Sequence, residues 1–321
     1  VVIVTDGLKS QESFQQDLET WLGSAPLFHP PWEIFPHEGK LPPADVISDR
    51  LQTLVALADN SKSKIEDSKL VVTSVTALLQ KTFPPDEIQK RIRALKRGDQ
   101  VNPLDLIEWL EEQGYEPEAQ VSQKGEIALR GGILDVWPLT SAWPVRLEFF
   151  GDELESLRHF DPLTQISRDE ITGVTLPPAG ELGILKQAVE RGLQAASTPG
   201  KKAASDISKP SDDFTLKRPE GRAPFATLLD YLPRETIFVL CEPEQLAVHA
   251  DAYEQQIPKD DPFFISWPDF LTELNRRGLT AVELNDVDGT PVSDPVQIGL
   301  IEDNHAGPEA GAPLFVSLDA F

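Results

Sequence analysis

The chain has 321 residues, 40% hydrophobic and 26% charged, which is long enough for two or three domains with sizeable cores. It carries 29 Lys and Arg against 53 Asp and Glu, a formal net charge of −24. Binding to a phosphate backbone needs clustered Lys and Arg, so this balance argues against free-standing DNA binding.

The cysteine and histidine content excludes several kinds of site. Cys241 is the single cysteine, so an internal disulfide framework and a cysteine-based zinc site are excluded. The five histidines lack the paired spacing of metal ligands, and no metal is expected. No apolar run approaches the ~18 residues of a membrane span, and no signal peptide is expected. The chain contains no methionine, the initiator included, which indicates a piece of a longer protein.

The first segment, residues 1–87, alternates strand-like and helix-like patterns. Val1–Val4 and Lys69–Thr73 are short runs of apolar and β-branched residues, typical of buried strands. Such alternation predicts a parallel sheet with helices packed on it. The predicted helices cover Gln11–Leu22, Ser48–Ala58 and Val75–Lys81, and the proline-rich stretch Phe28–Pro43 is predicted to be a loop.

The pattern changes near residue 88. Asn102 is predicted to cap a helix that has Pro103 at its first position and ends at Gly114. Strand-like runs follow to about residue 161, so residues 88–176 are predicted to form an antiparallel α+β insert. A basic cluster precedes this helix and is interpreted as a solvated helix face, with an anion or partner contact as the alternative: Lys90, Arg91, Arg93, Lys96 and Arg97.

Residues 177–285 return to an α/β pattern. Within them, 196–222 have the Ser-, Lys-, Pro- and Gly-rich composition of a flexible linker. Thr236–Leu240 is predicted to be a strand, followed by helices over Pro243–Tyr253 and Pro268–Arg277. Residues 286–321 are predicted to be a C-terminal extension toward a further domain.

No sequence pattern for nucleotide binding or catalysis is found. The P-loop pattern G-x-x-x-x-G-K-[ST] is absent, and no serine or cysteine has a nucleophile signature. The run after Thr236 resembles a Mg²⁺-binding Walker B strand, but Cys241 and Glu242 stand at its acidic positions. A thiol is a poor partner for Mg²⁺, so this box is interpreted as degenerate. The plainer interpretation is that Glu242 and Glu244 begin a helix, and neither interpretation predicts an ATPase or a bound cofactor.

The segment 125–161 carries the most informative pattern. From 145 to 150, alternation places Arg146, Glu148 and Phe150 on the face opposite Val145, Leu147 and Phe149. Arg130 precedes a Gly-Gly turn, and Arg158 lies on the next predicted strand. An exposed aromatic residue beside arginines is typical of a protein–protein hot spot. The alternative is that Arg146 and Glu148 form an ordinary surface pair while a helix such as 103–113 covers Phe150.

This segment closely resembles the N-terminal module of bacterial transcription-repair coupling factors, which is itself similar to the excision-repair protein UvrB. The matching runs are Glu126–Pro138, Arg146–Asp161 and Asp230–Pro233, with weaker matches at Trp32–Pro36, Ile47–Leu51 and Leu70–Leu79. UvrB proteins carry a P-loop, an intact acidic box and a long DNA-inserting hairpin. Between Pro36 and Ser48 the chain has no room for that hairpin, so the resemblance favours the coupling factors.

The resemblance implies an α/β fold with a degenerate RecA-like, P-loop-NTPase-like parallel sheet, split by an insert similar to UvrB domain 2. Residues 1–87 would be domain 1a, 88–176 domain 2 and 177–285 domain 1b. In the family, domain 2 recruits UvrA in transcription-coupled nucleotide excision repair. The matching contact residues here are Arg130, Arg146 and Phe150, to which Glu148 and Arg158 are added as neighbours.

The resemblance also bounds what to expect of this piece. In full-length relatives, ATP and Mg²⁺ serve a C-terminal motor that displaces stalled RNA polymerase from DNA; contacts with polymerase and DNA belong to domains absent here. The expected location is the bacterial cytoplasm. One alternative is a UvrB-type ATP-dependent repair enzyme whose P-loop lies outside these residues. A further hypothesis is that the same face docks on the motor half of its own full-length chain and holds the motor inactive.

Overall fold

The computed structural model describes residues 1–58, 69–197 and 225–285, with the backbone alone described for 191–197. Within this part the chain is a mixed α/β protein with a five-stranded parallel sheet, a six-stranded sheet and a two-stranded sheet. The predicted α/β class is therefore confirmed. Most of the predicted linker 196–222 and all of the extension 286–321 lie outside the described residues.

The N-terminal part supplies three strands of the parallel sheet and the helices between them. The predicted loop 28–43 is wrong at its start, because Phe28 and His29 belong to a short edge strand. The helix predicted from Ser48 begins four residues earlier. The elements are β1 (Val2–Thr5), α1 (Leu8–Leu22), β2 (Leu27–His29), α2 (Ala44–Ala58), β3 (Val71–Ser74), α3 (Val75–Leu79) and α4 (Pro85–Lys90).

The middle part folds around the six-stranded sheet. The helix predicted after Asn102 is confirmed, since this side chain accepts hydrogen bonds from the amides of Leu104 and Asp105. Strands β4 and β11 pair antiparallel, so the two ends of the segment lie side by side. The elements are β4 (Arg93–Lys96), α5 (Pro103–Glu112), β5 (Glu116–Pro117), β6 (Glu126–Arg130), β7 (Ile133–Val136), β8 (Val145–Phe150), β9 (Glu153–Phe160), β10 (Ser167–Glu170), β11 (Gly173–Leu176) and α6 (Leu182–Ser197).

The C-terminal part returns to the parallel sheet and completes it. It adds β12 (Ile237–Cys241) and β13 (Thr280–Leu284), so that the spatial order is β13-β12-β1-β3-β2, and every neighbouring pair is parallel. The sheet is thus assembled from both ends of the chain, with residues 93–176 intervening between its two halves. The elements are β12 (Ile237–Cys241), α7 (Pro243–Glu254), α8 (Trp267–Arg276) and β13 (Thr280–Leu284), preceded by a 3₁₀ turn at Leu228–Tyr231.

The interpretation of the basic cluster as a helix face is wrong. Only Lys90 ends a helix, whereas Arg93 and Lys96 lie on strand β4. Lys90 pairs with Glu87 at 2.8 Å, and the guanidinium of Arg93 stacks on Trp109 at 4.8 Å. Arg91 and Arg97 also have side-chain partners, Gln113 at 3.0 Å and Glu170 at 3.2 Å.

Candidate protein-interaction face

The predicted site residues lie on one face of the six-stranded sheet. Residues directly opposite one another on neighbouring strands point to the same face. Arg146 lies between Asp135 and Arg158, and Glu148 lies between Ile133 and Ser156 in the next row. Arg130 pairs with Ile133, and Phe150 pairs with Glu153 at the end of the sheet. Register therefore gathers all five predicted side chains on the face opposite Leu134 and Leu147, which are fully buried.

Phe150 is the most exposed large side chain of this face. It is 77% exposed, so the alternative in which helix α5 covers it is wrong. Ile133, in a neighbouring row, is 37% exposed. The chain holds Phe150 close to the β6–β7 turn, because the amide of Phe149 donates to the carbonyl of Gly132 at 2.8 Å. Phe150 and Ile133 thus expose apolar surface in neighbouring rows of one face, and exposed apolar surface rimmed by polar residues is typical of an interaction site.

The arginines of the face differ in how they are held. Arg146 forks onto Asp135, with Nε–Oδ1 at 2.7 Å and Nη2–Oδ2 at 2.8 Å, and its side chain is 16% exposed. The hydrogen bond that Arg146 donates to the carboxylate of Asp135 raises the pKa of Arg146 above its ordinary value. The guanidinium also lies 4.7 Å from the ring centroid of Phe160. Arg130, in contrast, is exposed and makes no ion pair with any residue that the structure describes.

Glu148 does not form the surface pair with Arg146 that was the alternative interpretation. Its Oε2 accepts a hydrogen bond from the hydroxyl of Ser156 at 2.6 Å and lies 3.8 Å from a guanidinium nitrogen of Arg158. Asp135, the main partner of Arg146, is not among the residues predicted from the sequence. Alternation along Ile133–Val136 could have identified it, because it places Asp135 on the polar face beside an arginine-bearing strand.

The Walker-B-like position lies away from this face, at the end of β12. Cys241 is 7% exposed, and Glu242 occupies the N-cap position of α7 with Glu244 in the first turn, which confirms the helix interpretation of these residues. Burial, and secondarily the nearby carboxylate of Glu242, raises the pKa of the Cys241 thiol to about 11. The thiol is therefore neutral near pH 7 and unsuited to Mg²⁺. No cluster of three or more metal-ligating side chains occurs among the described residues.

A buried ion pair joins the two halves of the parallel sheet to the end of the middle segment. Arg50 on α2 and Glu181 before α6 are both fully buried, and Nε of Arg50 donates to Oε2 of Glu181 at 2.6 Å. The indole of Trp32 donates to the same carboxylate oxygen at 2.9 Å. Arg50 also donates to the side-chain oxygen of Gln80 at 3.2 Å. The side-chain nitrogen of Gln80 donates to the hydroxyl of Tyr253 at 3.0 Å, which links the C-terminal part to this network. This network ties α2 to the segment before α6 and to α7.

The described residues thus form an α/β scaffold that carries a six-stranded sheet with Phe150 exposed on one face. Residues 94–182 match the family described as the UvrB interaction domain. The chain is 30% identical over 257 residues to the transcription-repair-coupling factor of Haemophilus influenzae. This alignment covers 76% of this chain and 22% of the relative. It is 32% identical over 269 residues to that of Mycobacterium bovis, covering 78% of this chain and 22% of the relative. It is 28% identical over 292 residues to the transcription-repair-coupling factor of Bacillus subtilis, and this alignment covers 83% of this chain and 24% of the relative.

The chain therefore contains a UvrB interaction domain and is homologous to a segment of the transcription-repair-coupling factors. It spans about a fifth of the length of the curated relatives it matches. None of the helices within residues 1–58, 69–197 and 225–285 has the length and apolar character needed to cross a membrane.

Proposed function

We propose that this chain is a non-catalytic module of a transcription-repair-coupling factor that recruits UvrA through the exposed face of its six-stranded sheet. The observation that carries the proposal is the 77% exposure of Phe150 within the domain that matches the UvrB interaction family. Exposed Arg130 supplies a cation on the same face, and Ile133 adds apolar surface next to it.

The arrangement fits the chemistry of a hot spot. Aromatic and arginine side chains dominate binding energy when a partner covers and desolvates them. Phe150 has the apolar area to fill a recess of a partner, and Arg130 can pair with a carboxylate there without breaking an existing ion pair among the described residues. Arg158, half exposed, adds a second cation at the edge of this surface.

The test is a titration of UvrA with wild-type chain and with Phe150→Ala and Arg130→Ala. We expect each substitution to weaken binding by about 30-fold, as for the loss of a hot-spot residue. Trp21→Ala on α1 is a matched control, because Trp21 is 82% exposed but lies on the parallel-sheet part. Wild-type affinity of both face variants would refute the proposed interface.

We further propose that the parallel sheet is a degenerate RecA-like domain. It is divided into residues 1–87 and 177–285, and residues 88–176 form the inserted domain. The neutral thiol of Cys241 at the metal position supports a loss of ATPase function. The connection over residues 30–43 contains no strand, and so no DNA-inserting hairpin, which argues against a UvrB-type enzyme. The rival is a UvrB-type enzyme with its P-loop outside these residues. An increase in ATP hydrolysis by the longer protein on Cys241→Asp would favour this rival, because it would indicate a residual nucleotide site.

An intramolecular role is compatible with the recruitment role and uses the same surface. The exposed Phe150 can be covered by the motor half of the longer protein when UvrA is absent. This predicts that Phe150→Ala in the full-length protein raises its basal ATPase rate. An unchanged rate would rule out Phe150 as part of an inhibitory contact.

The single, buried cysteine suits the proposed site of action in the bacterial cytoplasm.

A further inference from the structure

A short turn after β9 presents two large apolar side chains at the far end of the interaction face. Leu163 is 90% exposed and Ile166 is 66% exposed, within the turn of residues 161–166. Single exposed apolar residues are common on protein surfaces and need no explanation. Here two of them lie in a turn that is attached to the interaction face by specific hydrogen bonds.

The turn is ordered by its own polar groups. Oδ1 of Asp161 accepts hydrogen bonds from the amides of Leu163 and Thr164, both at 2.9 Å. The amide of Gln165 donates to the carbonyl of Asp161 at 2.8 Å. The side chain of Gln165 donates to the carbonyl of Pro162 at 2.8 Å and reaches the carbonyl of Val121 at 3.1 Å. A turn held in this way loses little conformational entropy when a partner binds it.

Arg146 connects this turn to the sheet. Its Nη1 donates to the carbonyl of Gln165 at 3.2 Å and lies 3.4 Å from the hydroxyl of Ser167. Its other guanidinium nitrogens are engaged by Asp135, so the guanidinium is fixed in place. With 16% of its side chain exposed, Arg146 offers a partner far less surface than Phe150 or Arg130 does.

We propose that the turn 161–166 is a second anchor of the interaction face, in which Leu163 and Ile166 contact the partner and Arg146 acts as a positioning residue. The inference rests on the proposed function, and the partner is the same UvrA surface that receives Phe150. That surface would carry two apolar recesses, one for each end of the face, with a carboxylate near the first to pair with Arg130. The turn is continuous with the proposed interface through the hydrogen bonds of Arg146.

The first test is UvrA titration of the double variant Leu163→Ser/Ile166→Ser. Both side chains are exposed, so the fold should be retained, which thermal unfolding checks. We expect binding at least about 30-fold weaker than for wild type. The matched control is Leu22→Ser/Val248→Ser, at side chains 56% and 60% exposed on α1 and α7. If the turn variant binds within about threefold of wild type while Phe150→Ala is impaired, the second anchor is refuted but the proposed function stands. If neither is impaired, the proposed function itself fails.

The second test separates positioning from direct contact by Arg146. Arg146→Lys keeps the charge but cannot fork onto Asp135 and reach Gln165 together. We expect it to weaken UvrA binding by about tenfold in the wild-type chain and by less than about threefold in the Leu163→Ser/Ile166→Ser background. If Arg146 contacted the partner independently of the turn, the loss on Arg146→Lys would be the same in both backgrounds. Losses that simply multiply, or wild-type binding by Arg146→Lys, would overturn the positioning role.

Discussion

Replacing Glu181 with Ala tests whether the buried ion pair holds the scaffold together. The carboxylate of Glu181 accepts two hydrogen bonds from Arg50, at 2.6 and 3.1 Å, and one from the indole of Trp32 at 2.9 Å. The substitution removes all three and leaves the guanidinium of Arg50 fully buried, with the carbonyl of Pro30 and the side chain of Gln80 as remaining acceptors. Neither acceptor carries a charge.

The size of the effect follows from this burial. Removing one partner of a buried ion pair costs about 3–5 kcal/mol, because the other charge stays buried without compensation. An unsatisfied indole N–H adds to that cost, since a buried donor without a partner costs about 1–3 kcal/mol. These contributions are not strictly additive, so we expect Glu181→Ala to lower the free energy of unfolding by about 4 kcal/mol or more.

Urea denaturation followed by tryptophan fluorescence measures this change. Glu190→Ala, at an exposed position of α6, the helix that follows Glu181, is the matched control and should shift the free energy of unfolding by less than about 0.5 kcal/mol. Arg50→Met/Glu181→Leu removes both charges and should recover at least half of the loss, since apolar replacements of buried pairs are often neutral. A loss below about 1 kcal/mol for Glu181→Ala would refute the reasoning.

Three further predictions concern a turn, a histidine and the cysteine. In Gly132→Ala the new Cβ would lie 2.8 Å from the carbonyl oxygen of Phe149; we expect a loss of about 1–3 kcal/mol in urea unfolding and weaker UvrA binding, and unchanged values would contradict this. Burial, and secondarily the charge of Arg50, holds the pKa of His29 well below its ordinary value of 6.5. The unfolded state therefore binds the proton more readily, and this group reduces stability only as pH falls below 6.5, by up to about 1.4 kcal/mol per pH unit. His29→Leu should flatten the pH dependence of the free energy of unfolding between about pH 6.5 and 5, whereas His249→Leu, at a surface position, should not. Equal slopes for the two variants would contradict this expectation. The buried thiol of Cys241, with its pKa raised to about 11, should react with a disulfide reagent more than about tenfold slower in the native than in the unfolded chain, and equal rates would exclude this burial.

Local patterns predicted much of the secondary structure. Asn102 and Pro103 define the start of α5, because their side chains suit the first helical turn. Alternation along β8 separates Arg146 and Glu148 from Val145 and Leu147, which are buried. These features depend on neighbours in sequence, and so they can be read without the fold.

The errors arise where distant contacts override the local pattern. Strand β2 has three residues and pairs with β3 across about 44 positions of sequence, so its polar and proline-rich surroundings hide it. Helix α6 was not predicted, because its sequence runs into the composition of the linker. The basic cluster contains good helix formers, yet Arg93–Lys96 pairs with β11 to form a strand.

The sequence by itself determined the α/β class, the acidic character and which side chains of β8 share one face of the sheet. Tertiary structure alone decided which of those side chains are available. The side chain of Arg146 is only 16% exposed because register places Asp135 opposite it, whereas Phe150 stays 77% exposed because no element of the described part covers it. Likewise Arg50 meets Glu181 from 131 positions away. Availability depends on contacts between segments remote in sequence, and periodicity along one strand carries no information about them.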